Sequence, residues 1–434
     1  MKKVAFYTLG CKVNQYETEA MEELFKNRGY EVVDNREKAD IYIINTCTVT
    51  NLGDRKSRQF IRKAKKLNKD SIIAAVGCYS QVAPKEVESI DGVDIVVGTT
   101  DRHKIVDLCE KAKAENKKIN IVKDIKGHKE FESLNISDLQ HKTRAYIKIQ
   151  EGCNQYCSYC IIPYARGPIR SRDLEDIILE TERLARAGFK EIILSGIHVA
   201  SYGKDLRNVT LTDVIEEVAK IDEIRRIRLS SIEPTFIDRN FMERVISTKK
   251  LCDHFHLSLQ SGSNTVLKRM NRKYTTEDYQ EIVNLIREYM PDAGITTDII
   301  VGFPGETDEE FNETYQFVKD IHFSRIHVFK YSPRKGTPAS KFKDQIHGDI
   351  KNERSDRLIH LGEELMKDFN KRFVGRTLEV LLEDKKDGFI EGYTTNYIRV
   401  KVKYEYEDDL QGRVLPIKTT RYDEDFLLGE IEEF

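Results

Sequence analysis

No run of about 18 consecutive apolar residues occurs in the 434-residue sequence, so no segment predicts a membrane-spanning helix. A leader peptide is not read either. Residues 1–7 lack a long apolar stretch ahead of a small-residue cleavage site and are expected to form a first β-strand, which points to a cytoplasmic protein. An excess of one charge sign is also missing: 71 basic and 73 acidic residues give a net charge of −2. No overall field therefore draws the chain to nucleic acid, and RNA contact would require a local basic surface. Internal repeats and low-complexity tracts are absent too.

What is present is a globular balance, 33% charged and 39% hydrophobic, in a length that predicts about two to four domains. Residues 1–113 alternate short apolar runs (4–8, 41–45, 72–76, 95–97) with helical patterns (17–28, 52–67), as in a doubly wound parallel sheet. Residues 114–143 are polar and weakly periodic and are expected to be a linker. From 144 to 370 the alternation returns, with strands expected at 145–149, 191–195, 226–230, 254–259, 295–301 and 325–331. This predicts an α/β domain built as a partial (β/α)6 barrel, with its chemistry at the C-terminal strand ends. Within it, Thr307-Asp308-Glu309-Glu310 predicts a capping box. From 371 to 434, short β-like runs and a hairpin turn at Lys385-Lys386-Asp387-Gly388 predict a small all-β barrel.

Eight cysteines in such a chain suggest metal binding or catalysis rather than disulfides. Cys153, Cys157 and Cys160 form Cys-x3-Cys-x2-Cys just after the first barrel strand. Three thiolates this close can hold three corners of a four-iron cluster. The open fourth iron can then take the amino and carboxylate groups of S-adenosylmethionine. The blander alternatives are a zinc knuckle, which would want a fourth Cys or His nearby, or three buried core cysteines. Cys11, Cys47 and Cys78 each follow one strand of the first domain, beside Gly10, Thr46 and Gly77. Parallel strand ends share one edge of a sheet, so these three residues are expected to converge; the alternative is small buried residues at strand ends. Cys109 and Cys252 lack such a context and are read as structural.

These features resemble the radical S-adenosylmethionine superfamily, whose defining motif is the cysteine triplet. Leu194-Ser195-Gly196-Ile197-His198, Ser231-Ile232-Glu233-Pro234 and Val301-Gly302-Phe303-Pro304-Gly305 resemble the segments that hold the cosubstrate. The resemblance implies cofactor contacts from Tyr159, Ser195, Gly196, Glu233, Gly302 and Phe303. Two cysteine sets in this order, followed by a β-barrel of the TRAM type, resemble the methylthiotransferase family over nearly the whole chain. Residues 8–17, around Cys11, and residues 194–203 are similar to the branch acting on N6-threonylcarbamoyladenosine at tRNA position 37, as against isopentenyladenosine or a ribosomal-protein aspartate. The resemblance implies two [4Fe–4S] clusters and two S-adenosylmethionine molecules per turnover. One methylates a sulfur atom on the cluster at Cys11, Cys47 and Cys78. The other is cleaved at the cluster of Cys153, Cys157 and Cys160, and its radical takes hydrogen from C2 of the adenine. Implied partners are the tRNA anticodon stem-loop, an electron donor and a sulfur donor, with the enzyme a monomer.

For RNA, a basic helix carrying Arg55, Lys56 and Arg58, with Arg62, Lys63, Lys65 and Lys66, lies just after Cys47 and can hold phosphates; a solvated helix face is the alternative. Arg166, Arg170 and Arg172 are candidates for substrate phosphate or a threonylcarbamoyl carboxylate. The last 64 residues hold 11 basic and 15 acidic residues, net −4, so RNA contact there would need a patch around Arg399, Lys401 and Lys403. Two further classes stay open: a non-catalytic RNA-binding protein with structural zinc, and a radical dehydrogenase whose first cluster only relays electrons.

Overall fold

The computed structural model describes residues 1–134, 143–404 and 409–432. In the first domain the apolar runs become a six-stranded parallel sheet, in the order β2 (Glu31–Val33), β1 (Lys3–Thr8), β3 (Ile41–Thr46), β4 (Ile72–Gly77), β5 (Ile95–Val97), β6 (Ile119–Asn120). Both faces of the sheet are apolar and each packs its own layer of helices. Cys109 lies in one of these layers. The helix Asn51–Leu67 begins where Thr50 accepts a hydrogen bond from the Gly53 N–H. Helix Lys12–Asn27 starts five residues ahead of the expected Glu17, because Val13, Asn14 and Tyr16 are buried there without any capping side chain to announce the turn.

The first sheet also runs past residue 113. Ile119–Asn120 pairs with β5, and Leu134 enters the core of the next domain, so part of the segment expected to be a linker is packed structure. Its residues 135–142 lie outside the described residues.

The central domain is an open arc of six parallel strands: β7 (Arg144–Glu151), β9 (Glu191–Gly196), β10 (Arg226–Leu229), β11 (His254–His256), β12 (Gly294–Val301) and β13 (Arg325–Lys330). Isolated parallel bridges, Ile227 to Leu251 and Ile232 to Leu257, carry it from β10 towards β11. A two-residue strand, β8 (Arg170–Ser171), pairs antiparallel to the end of β7. Thr307 and Glu310 form the expected capping box. One large apolar core fills the space between arc and helices.

The C-terminal barrel closes in the order β14 (Thr377–Lys386), β15 (Phe389–Thr394), β16 (Arg399–Lys403), β18 (Phe426–Ile431), β17 (Val414–Asp423). Its expected hairpin turn is present, with Asp387 at φ 52° and Gly388 at φ 77°. The barrel docks on the N-terminal ends of the central strands. Arg226 donates to the carbonyls of Tyr393 and Glu379, Arg228 to those of Thr394 and Thr395, and Gly294 lies so close to Asn396 that a Cβ would stand 2.3 Å from its carbonyl oxygen. It therefore sits at the opposite end of the central domain from the Cys153–Cys160 loop.

Candidate active site

Strands β1, β3 and β4 are neighbours, so the three turns that follow them share one edge. Cys11, Cys47 and Cys78 meet there. Gly10, at φ +103°, lies under Cys47; a Cβ on it would stand 3.0 Å from the Cys47 Sγ, so the turn tolerates no side chain. The Asn14 side-chain amide donates to the carbonyls of Leu9 (2.7 Å) and Thr46 (3.1 Å), tying the first two turns together. Burial pushes the Cys47 thiol up and the Cys78 thiol up to about 12, and the nearby sulfurs of the group act in the same direction.

The second group follows β7. The Cys153 N–H donates to the Gly167 carbonyl at 3.0 Å and the Cys160 N–H to the Cys157 carbonyl at 2.9 Å, which curls the loop on itself. Ser158 anchors it to the Arg269 and Met270 carbonyls. Arg272 donates to the Cys157 Sγ at 3.3 Å and to Glu233 at 2.9 Å, and Glu233 also faces His198 at 3.5 Å. Burial pushes Cys153 up to about 11 and Cys160 up to about 12.

Each trio is a set of soft sulfur donors, the first spread over three turns at one sheet edge and the second on one loop. Among the described residues no three Cys, His, Asp or Glu side chains close tightly enough around one point to hold a single ion. A structural zinc needs such a closed set. Three cysteine sulfurs are a donor set that an iron–sulfur cluster uses.

Beside Cys160 and the turn after Cys47 lies a cavity of about 210 Å³. Val49 and Thr50, two and three residues beyond Cys47, form one wall; Tyr159, Cys160 and Ile161 form another; Asp298 and Phe329 from the central strands, and Gln260 from the segment after β11, also line it. Gln260 holds φ +75°, a conformation that non-glycine residues rarely adopt. Phe329 is 49% exposed at the mouth. Arg334 holds the two domains together at this point, donating to Thr48 (2.6 Å), Asn51 (2.5 Å) and Asp54 (2.5 Å).

The other expected contacts divide. Tyr159 lines the cavity, and Glu233 stands beside Cys157 through Arg272. Ser195 is buried and bonded inward to the Ile147 carbonyl, and Gly196 packs on Gln150. Gly302, at φ +67°, donates to Glu306. Phe303 is fully buried against Tyr331 and Phe342 and does not line the cavity. Cys252 is buried, in keeping with a structural role.

The RNA candidates need correction. Arg166, Arg170 and Arg172 are at most 1% exposed: Arg166 pairs with Glu17 and Glu151, Arg172 with Glu180, and Arg170 donates to the Arg166 and Pro168 carbonyls. None can meet a phosphate at the surface. Arg399 and Lys401 are neutralised by Glu391, and Arg399 by Asp425 as well. The helix Asn51–Leu67 does present a basic groove of Arg55, Arg58, Arg62, Lys63 and Lys66, with Lys56 exposed beside it. Arg58 is partly engaged by Tyr79 and Glu86, whereas Arg55, Lys56, Arg62 and Lys66 have no carboxylate partner among the described residues. Arg272 and Arg334 were missed, since nothing local in the sequence marks a contact made with a partner far along the chain.

The profile of the Radical SAM superfamily matches residues 147–318, and that of the uncharacterized protein family UPF0004 matches residues 3–98. The chain is 46% identical over 424 residues to the threonylcarbamoyladenosine tRNA methylthiotransferase MtaB of Bacillus subtilis, covering 96% of this chain and 94% of that one. It is 43% identical to the protein of the same name from Aquifex aeolicus, over 92% and 96% of the two chains. It is 38% identical to the tRNA-2-methylthio-N(6)-dimethylallyladenosine synthase of Pelotomaculum thermopropionicum, over 97% and 95%. Among solved structures, the radical S-adenosylmethionine methyltransferase TsrM of Kitasatospora setae superposes with a TM-score of 0.57 at 15% identity, covering 78% of this chain and 77% of that one, a likeness of fold.

Proposed function

We propose that this chain, which belongs to the radical S-adenosylmethionine tRNA methylthiotransferase family, places a methylthio group on C2 of N6-threonylcarbamoyladenosine at position 37 of tRNA. The observation that carries the proposal is the cavity walled on one side by the turn after Cys47 and on the other by Cys160. In this reading Cys153, Cys157 and Cys160 hold one [4Fe–4S] cluster and Cys11, Cys47 and Cys78 the other. With S-adenosylmethionine bound and an external reductant, the group held by Cys153, Cys157 and Cys160 would pass one electron to the sulfonium, whose broken C–S bond would yield a carbon radical able to take hydrogen from an unreactive C–H bond, and the group held by Cys11, Cys47 and Cys78 would present a sulfur atom delivered by a separate sulfur donor.

The protein's share is placement and exclusion of water. An adenine must leave its loop stack to enter the cavity, and the half-exposed ring of Phe329 offers a face to receive it. Val49, Ile161, Ile162 and Ile300 make the rest of the lining largely apolar. Arg272 fixes Cys157 and Glu233 relative to each other. The 46% identity to a threonylcarbamoyladenosine enzyme, against 38% to a dimethylallyladenosine enzyme, supports the choice of substrate. The test is mass spectrometry of anticodon stem-loops carrying either base after incubation with reconstituted enzyme. The expected product is 2-methylthio-N6-threonylcarbamoyladenosine; a methylthio mark on the isopentenyl base alone would overturn the substrate choice.

The groove on the helix Asn51–Leu67 is assigned to anticodon-stem phosphates, because its free cations follow directly on the wall of the cavity. Reversing Arg55, Arg62 and Lys66 to glutamate is expected to weaken tRNA binding and to flatten the salt dependence of log K by about 0.9 for each phosphate no longer held. An unchanged slope in a filter-binding titration would free this helix of any RNA role.

A further inference from the structure

Where the first two domains meet, a group of charged side chains is shut away from water. Glu17, Glu132 and Glu151 face Arg102, Lys148, Arg166 and Arg170, and every one of these side chains is 0–1% exposed except Glu132 at 9%. Arg166 lies 2.5 Å from Glu17 and 2.6 Å from Glu151; Arg102 lies 2.5 Å from Glu17 and 2.8 Å from Glu132; Lys148 lies 3.4 Å from Glu17 and 3.2 Å from Glu151. Three carboxylates against four cations leave one positive charge over. An uncompensated charge inside a protein is costly, so a compensating group is to be sought at its edge. Arg166 also reaches the Cys78 sulfur, 3.2 Å from its Nε. The same guanidinium donates to the Asn14 Oδ1 at 2.7 Å, and Asn14 ties together the turns that carry Cys11 and Cys47.

We propose that Arg166 is a positioning residue that couples the Cys11, Cys47 and Cys78 site to the central domain. Arg166 carries the positive charge of the buried group to the Cys78 sulfur at 3.2 Å, so that loading the site tightens the contact between the domains. The proposal rests on the assignment of those three cysteines to an iron–sulfur cluster. Arg166 sits six residues after Cys160, so a single side chain spans the distance from the loop of one trio to a sulfur of the other.

The test uses the full chain with Cys153, Cys157 and Cys160 replaced by alanine, so that only the N-terminal site takes up iron. Arg166→Gln and Arg166→Lys are compared with the native arginine, before and after anaerobic reconstitution. With arginine, loading should slow hydrogen exchange in the peptides of helix Lys12–Asn27 and of residues 162–171. In Arg166→Gln that slowing should vanish, and iron should pass to a chelator about 10–100-fold faster. Arg166→Lys, which keeps the charge, should recover much of both effects. In the iron-free state Arg166→Gln is expected to melt lower than the parent, because the bonds to Glu17, Glu151 and Asn14 are lost, and the loss should be larger in the iron-loaded state, where the contact with the Cys78 sulfur goes as well. An equal loss of stability with and without iron, or native iron retention in Arg166→Gln, would make Arg166 an ordinary structural ion pair and overturn the proposal. If the parent itself takes up no iron, the cysteine assignment fails first and the proposal with it.

Discussion

Cys157→Ala is expected to end formation of 5′-deoxyadenosine, whereas Cys47→Ala should leave cofactor cleavage measurable and remove the methylthio product. Both losses should reach on the order of 10³-fold or more, as for the removal of a group on which a step depends. The asymmetry follows from where the two sulfurs lie. Cys157 sits in the loop after β7, held by Arg272 together with Glu233, and no residue of the first domain takes part in that hydrogen-bonded set. Cys47 lies at the edge of a separate sheet, and the turn that follows it, at Val49 and Thr50, shares a cavity with Cys160. Damage at Cys47 therefore leaves the second loop's own hydrogen bonds intact. The readouts are chromatography for 5′-deoxyadenosine and mass spectrometry for the modified base, with iron content measured on each variant. A methylthiolated product from Cys47→Ala would end the role given to the first domain. Full loss of cleavage in Cys47→Ala, with iron retained at the other trio, would show that the two sites do not act separately.

The strand ends were legible because two sequence signals coincide there: an apolar run of five or six residues and a cysteine just beyond it. A parallel sheet then fixes which turns share an edge, so the convergence of Cys11, Cys47 and Cys78 follows from topology alone. The arginines were not legible. Arg166, Arg170 and Arg172 look like a basic cluster on the chain, but the partners of Arg166 stand 149 and 15 residues away, and burial turns an expected phosphate contact into an internal ion pair. The packing of Phe303 was equally hidden. A Gly-Phe-Pro-Gly turn fixes the backbone path, while the ring follows whichever apolar layer is nearer, here Tyr331 and Phe342. The strand Ile119–Asn120 was invisible because two residues in a charged stretch carry no periodicity; only the edge of β5 selects them.

Arg334→Ala is the substitution expected to separate the two half-reactions most sharply without touching a cysteine. Arg334 is buried just after β13 and donates to Thr48, Asn51 and Asp54, the residues that follow Cys47 and start the basic helix. The Asn51 backbone N–H and side-chain amide reach back to Ser332 and Pro333, so one short segment of the central domain grips the whole turn. Removing one partner of a buried pair costs about 3–5 kcal/mol, because the other charge stays buried alone. Here that charge is Asp54. Burial already pushes its carboxyl up, and Arg334 pulls it back only in part. Without Arg334 the folded chain holds the Asp54 proton more tightly than the unfolded chain does. The loss of stability should therefore be greatest at neutral pH and shrink as pH falls towards the ordinary carboxylate range. The double variant Arg334→Ala/Asp54→Asn removes the stranded charge and should recover much of the melting temperature at neutral pH, yet it restores no bond to Thr48. In that stable double variant 5′-deoxyadenosine should still form, while methylthiolation falls by about 10²-fold, the scale of a misplacement of about 1 Å between reacting groups. A double variant that methylthiolates at the native rate would mean that the cavity wall keeps its position without the clamp.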